Sequence, residues 1–490
     1  MKKALSIHPE WATKYRRKGT ELRYISGKYY LYEYKTIYDA VNKKPKKISG
    51  PCLGAITKQE GFISSPKRLV EANKNLKVSQ PILVKEYGVT QLVLQRFTPY
   101  KNALEKHFKN VWKELLVIAY CRFIYHCPLK SIPYRLDSSY LKEELGIKSF
   151  SDKISSGILN QIGGMENDMQ SYMKSFISKG DYILIDGTQI VSNSQNIPLS
   201  RKGYNAHRNY DPQFNLLYIY SANQRMPVFY RLLPGNIRDV KAFKNTLLAA
   251  GLKKAIIVVD KGFYSKTNVE LLDNEKLDYI IPLKRDNTIV PYNTIANNTF
   301  KTSASFFQHE KRMIWCKSFE IKKKMLHLFL DDSLRLKEEF DYLNRMQNKP
   351  EDYTKDKYNL ARNKFGTIAL LSNKRNQKSE DVYATYKSRM YIETMFDGMK
   401  NVLEADHTYM QDQQTLKGWM FVNHICLQWY QDLYIELKNK ELIKKISVND
   451  YVQLLTDIKK VKINDTWHEN EVTNATKKLA EQVGVNLYNT

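Results

Sequence analysis

Tyr386, Arg389, Glu393 and Lys400 are spaced Y-x2-R-x3-E-x6-K. At about 100° per residue a helix places all four on one stripe roughly 60° wide. Met395, Met399, Val402 and Leu403 then fall on the opposite side, where a core would bury them. A carboxylate held between a guanidinium and an ammonium, with a tyrosine one turn back, suits a metal-binding acid flanked by groups that grip phosphate. The plain alternative is a solvated face, with Arg389 and Glu393 as an i,i+4 ion pair contributing about 0.3–0.5 kcal/mol. Against it, Glu393 and Asp397 are a like-charge i,i+4 pair, mildly unfavourable on an ordinary surface helix.

Two more carboxylates follow apolar runs. Tyr182-Ile-Leu-Ile185 leads to Asp186, and Ala255-Ile-Ile-Val-Val259 leads to Asp260. Both runs read as strands buried on two faces. If those strands are neighbours, both aspartates emerge at one edge of the sheet, and a helix across that edge brings Glu393 to them. Three converging carboxylates repel one another and require a cation to hold their geometry. Oxygen-only ligation selects Mg²⁺, or Mn²⁺ in its place, over zinc, and two such ions suit phosphodiester chemistry.

The elements that must position these groups follow from the pattern. After the strand at 182–185 come a hairpin (Phe214–Tyr220 with Met226–Leu233), a helix to Ala250, the strand before Asp260, a helix over about 267–277 and the strand Tyr279–Leu283. That alternation predicts a mixed α/β sheet with helices on its faces. Residues 286–365 interrupt it with strands around Met313–Phe319 and Met325–Leu330 and a charged helix over Leu334–Arg345. A strand at Phe365–Leu371 then returns to the sheet ahead of the Glu393 helix. The expected division is a basic, β-rich DNA-binding region over 1–80, a helical region over 81–178, and a catalytic domain in two parts, 179–285 and 366–440. An insertion domain over 286–365 and a helical tail over 441–490 complete it.

The chain of 490 residues carries a formal charge of +27. Such an excess attracts polyanions. The first sixty residues hold fourteen Lys/Arg against five Asp/Glu, with tyrosines alternating through Tyr24–Tyr34 and a basic turn at Lys43, Lys44, Lys46 and Lys47. Cations for phosphates and flat rings for packing are what a nucleic-acid surface needs. The basic residues are spread along the chain and no apolar stretch approaches bilayer length, so a membrane partner is not expected. Five scattered cysteines without a C-x-x-C pair indicate neither a disulfide framework nor a zinc module. A cytoplasmic, nucleoid-associated protein is the expectation.

Asp186-Gly-Thr, Val259-Asp-Lys-Gly-Phe-Tyr264 and Tyr386…Arg389…Glu393…Lys400 together resemble the DDE transposases of bacterial insertion sequences, in the group with the Y-R-E-K signature. Pro234-Gly-Asn-Ile-Arg-Asp239 and Gly203-Tyr-Asn205 resemble stretches of the same group, and the likeness spans roughly residues 180 to 435. It implies an RNase H-like catalytic domain interrupted before the last acidic residue. It implies that Asp186, Asp260 and Glu393 hold two divalent ions, and that Tyr386, Arg389 and Lys400 contact phosphates of the transposon end. Lys261, beside Asp260, joins the expected DNA contacts with the N-terminal lysines. The implied activity is cut-and-paste DNA transposition: cleavage at terminal inverted repeats and strand transfer to target DNA, by at least a homodimer when two ends are paired. A metal-dependent nuclease on the same fold, and a silent DNA-binding protein derived from it, are the alternatives.

Overall fold

In the computed structural model the apolar run Tyr182–Ile185 opens a strand that continues well past it, to Ser192. The model describes residues 8–39, 44–65, 82–178, 182–192, 194, 196–204, 210–236, 240–252, 256–259, 264–274, 276–296, 299–405 and 407–487. The described residues form two compact units, one drawn from 1–83 with 462–467 and one from 84–461 with 468–490.

The smaller unit is an antiparallel sheet of β1 (Thr20–Ile25), β2 (Lys28–Asp39), β3 (Lys44–Thr57) and β4 (Gly61–Ser64), in that order. Leu22, Leu31 and Ile56 turn to one face, and Leu53, left unpaired where the β2–β3 register shifts, joins them; all four bury with Ala12 of the short helix Glu10–Thr13. Trp11, Tyr15, Tyr29 and Phe62 close around this small core.

In the larger unit a short strand β5 (Leu83–Glu86) precedes helices Gly88–Gln95, Thr98–His107, Trp112–Tyr125, Asp152–Gly164 and Glu166–Lys174. The sheet follows: β6 (Tyr182–Ser192), β7 (Arg201–Tyr204), β8 (Tyr210–Ser221), β9 (Met226–Pro234), β10 (Ile256–Val258) and β11 (Asp278–Pro282). β6, β8 and β9 pair antiparallel, whereas β10 runs parallel to both β6 and β11. The order β9-β8-β6-β10-β11, with helices Val240–Ala249 and Lys266–Asn274 making the crossovers, is the RNase H-like arrangement. β10 is buried at every residue, as expected of a parallel strand covered on both faces.

Three features depart from the sequence reading. Asp186 does not end its strand: β6 continues to Ser192, because β8 pairs with it from Ile183↔Ser221 to Val191↔Gln213. Thr188, Ile190 and Ser192 alternate inward along that extension. The inserted segment does not form a sheet of its own among the described residues. β12 (Ser305–His309), β13 (Arg312–Ile321) and β14 (Lys324–Asp331) add to β15 (Thr367–Ser372), which itself pairs with β11, so one sheet of eleven strands results once the two-residue β16 (His407–Thr408) joins β6. The C-terminal segment, expected to be helical, contains strands Lys459–Ile463 and Thr466–Glu469 between helices Val448–Thr456 and Asn474–Gln482.

A 27-residue helix, Gln413–Asn439, lies across the sheet with Asp412 capping it through the Thr415 amide at 2.8 Å. Trp429 on this helix is fully buried and stacks on Phe97 with ring centroids 4.9 Å apart. Two of its buried carboxamides donate to the sheet: Gln428 to the Pro227 carbonyl at 3.1 Å and Gln431 to the Tyr220 hydroxyl at 2.9 Å. Gly418 lets Asp152–Gly164 cross at backbone distance, since a Cβ there would stand 2.0 Å from the Leu159 carbonyl oxygen.

Candidate active site

The Y-R-E-K run is not one regular helix. Helix Ser379–Lys387 ends, Ser388 and Arg389 form a tight turn, and helix Met390–Asp397 leads into a π-helical turn at Gly398–Val402. Ser388 and Arg389 keep helical dihedrals, so the phase is nearly preserved. Tyr386 thus lies in the last turn of the first helix, Arg389 is the N-cap residue of the second, Glu393 sits in its first turn and Lys400 lies in the π-turn. Ile392, Met395, Met399 and Leu403 are buried on the far side, with Val402 half-buried. Glycine is required at 398, where a Cβ would meet Tyr430 Cε1 at 2.4 Å. π-turns recur at functional sites because they re-aim side chains within a helix.

The segment is tied down from the helical region. Arg122, 5% exposed, donates through Nη2 to the Leu403 and Glu404 carbonyls that end the π-turn, and through Nε to Asn423 at 3.1 Å. Its guanidinium stands 5.0 Å from the Trp419 ring. The sequence reading passed over Arg122. Its signal was a lone arginine inside the apolar run 117–124, since a buried cation has to be hydrogen-bonded.

Arg389 joins the two halves of the site. Its Nη2 donates to Asp186 Oδ2 at 3.2 Å, and its Nη1 lies 3.4 Å from Glu393 Oε1. Asp186 Oδ1 accepts from the Gly187 amide at 2.9 Å. Because a guanidinium is a rigid fork, both carboxylates lie within about 9 Å of each other. The Arg389 and Asp186 side chains are 14% and 25% exposed, and that of Glu393 is 57% exposed. The cation is therefore well shielded, with one acid facing outward. Two carboxylates from chain segments about two hundred residues apart meet at one positive charge, the electrostatic arrangement that like charges demand.

The remaining predicted residues divide clearly. Tyr386 is half-buried against the core, and Lys400 is half-exposed. Asp260, Lys261, Asp239 and Lys43 lie outside the described residues. Lys44, Lys46 and Lys47 are exposed on β3 of the smaller unit; Lys47 pairs with Glu21 and stands 4.0 Å over the Tyr34 ring. Among the described residues no group of three His, Cys, Asp or Glu side chains is placed to hold a metal ion.

A family model described as the transposase DDE domain matches residues 178–429, a little over half of the chain. The chain belongs to the transposase DDE domain family. It is an enzyme of DNA transposition that cleaves DNA and transfers strands, and transposases of this family generally use divalent metal ions. A similar solved structure is a piggyBac transposase synaptic complex with hairpin DNA, 11% identical, with a TM-score of 0.38 over 71% of this chain and 70% of that one. No curated protein matches the sequence. Among the described residues no single helix is long and apolar enough to cross a membrane.

Proposed function

We propose that Asp186, Asp260 and Glu393 form the catalytic acid set of a cut-and-paste transposase of the bacterial insertion-sequence type with the Y-R-E-K signature. The observation that carries the proposal is Arg389, which holds Asp186 of β6 and Glu393 of the last catalytic helix at 3.2 and 3.4 Å. Sheet register supports the third member: Leu184 and Val258 are parallel partners, and in sequence an aspartate follows each by two residues.

The donor set fits a hard divalent cation, because carboxylate oxygens are what Arg389 now neutralises. Asp186, Asp260 and Glu393 would hold two Mg²⁺ ions, with Mn²⁺ able to substitute; bound there, the ions polarise the scissile phosphate and favour both the attacking and the departing oxygen. Tyr386, Arg389 and Lys400 contact phosphates of the transposon end, the two cations neutralising non-bridging oxygens. Lys44, Lys46 and Lys47, with Lys43 and Lys261, add salt-sensitive affinity for terminal inverted repeats and target DNA. Two ends require two active sites, so the working species is a homodimer acting at the nucleoid in the cytoplasm.

The test uses a duplex carrying the terminal repeat found beside the gene, incubated with Mg²⁺. The wild type nicks the end and joins it to target DNA. Asp186→Ala loses both reactions and keeps its affinity for the duplex; undiminished cleavage by that variant removes the assignment. Nicking without joined product by the wild type would instead identify a nuclease.

A further inference from the structure

The helix bearing Tyr386 has a second face. Ala384, Lys387, Ser388 and Tyr391 recur at three- and four-residue spacing, on the side roughly opposite Tyr386, Arg389 and Glu393. This face lines a groove of about 260 Å³, completed by the β8–β9 turn, the β12–β13 turn and the end of Gln413–Asn439.

The groove is built from cations. The Arg225 guanidinium stands 5.2 Å from the Tyr391 ring centroid and the Lys438 ammonium 4.8 Å from it. Arg225 has φ +56°, the left-handed conformation of the β8–β9 turn, and the turn holds it on the ring. Neither Arg225 nor Lys438 has a carboxylate partner among the described residues. Lys387 reaches over Tyr383, with its ammonium 5.3 Å from that ring. Arg312 is neutralised by Asp331 at 2.8 Å, and Glu310 is the acid among the lining residues. Positive charge therefore exceeds negative among the lining residues, and the Arg225 and Lys438 heads are set by the face of Tyr391 rather than by ion pairs. Tyr391 is occupied as a template for cations, which leaves it little face for a base.

We propose that this groove holds a stretch of DNA sugar–phosphate backbone on the side of the catalytic helix away from Glu393, without reading sequence. Cations from separate elements match a row of phosphates better than a single compact anion. The lining contains no Asn or Gln to read adenine, and Arg225 and Lys438, which could otherwise read guanine, are held over the Tyr391 ring, which favours contact to the backbone. The inference rests on the transposition reading, since it takes DNA as the substrate.

The experiment is fluorescence anisotropy with a labelled duplex of arbitrary sequence, about 30 bp long, in EDTA over about 50–200 mM salt. Removing two phosphate contacts in the double variant Arg225→Gln/Lys438→Gln makes the slope of log K against log salt shallower by about 1.8. The charge-keeping pair Arg225→Lys/Lys438→Arg retains most of the wild-type slope, which separates lost charge from a disturbed fold. An unchanged slope in the Gln pair overturns the groove alone, as does an equal loss in the charge-keeping pair. A wild type that fails to bind any duplex overturns the transposition reading together with the groove.

Discussion

Replacing Arg389 with alanine should tighten binding of a divalent ion while it weakens catalysis. The guanidinium lies 3.2 Å from Asp186 and 3.4 Å from Glu393, in the space a shared cation would need. A metal ion entering the site must therefore displace these contacts or work around them. Glu393 is more than half exposed, so each interaction is discounted for solvent screening to about 0.7 kcal/mol. Losing both removes a competing stabilisation of about 1.4 kcal/mol, roughly tenfold in affinity. Removing the cation also leaves two carboxylates facing each other, which favours metal further. The assay is titration of the DNA-free protein with Mn²⁺, following the free ion by electron paramagnetic resonance. Arg389→Ala should bind Mn²⁺ roughly tenfold more tightly and Arg389→Lys by a smaller factor, while strand transfer by the alanine variant falls. Unchanged or weaker Mn²⁺ binding by Arg389→Ala would refute the competition argument, whatever its activity.

Two further outcomes test the scaffold. Gly418→Ala sets a methyl 2.0 Å from the Leu159 carbonyl oxygen at a crossing of two buried helices, so urea unfolding should show a loss of about 1–3 kcal/mol; no change would mean the helices are not so close. Glu86 is fully buried between Tyr120, Thr90 and the Val89 amide, and burial raises its carboxyl to about 7. The folded protein thus keeps this proton to higher pH than the unfolded chain does, and stability falls as pH rises from about 4.5 to about 7, then levels. Glu86→Gln should flatten that window by up to about 3 kcal/mol, measured by urea midpoints across pH; an identical pH profile would place Glu86 in contact with water.

The strands were legible where burial is two-sided. Tyr182–Ile185 and Ile256–Val259 announce themselves as unbroken apolar runs because both faces are covered. The continuation of β6 through Ser192 was harder to read: one residue in two turns inward there, and an aspartate and a glycine stand at its start. The break at Ser388–Arg389 has no local signal, since both residues tolerate a helix; only packing of the flanking segments reveals it. β13 and β14 were recognisable as strands, but that they extend the catalytic sheet depends on partners far away in sequence. The candidate site was readable as residue types and spacing. That one arginine would join Asp186 to Glu393 was not, because such an ion pair forms only after some two hundred residues have folded between its members.

If Asp186, Asp260 and Glu393 share a pair of ions, Asp260 is the member to test. Calorimetric titration of Mn²⁺ into wild-type protein and into Asp260→Ala measures this directly. Two ions per chain are expected in the wild type and one or none in the variant, with DNA cleavage lost. Two ions at unchanged affinity in Asp260→Ala, together with normal cleavage, would contradict it.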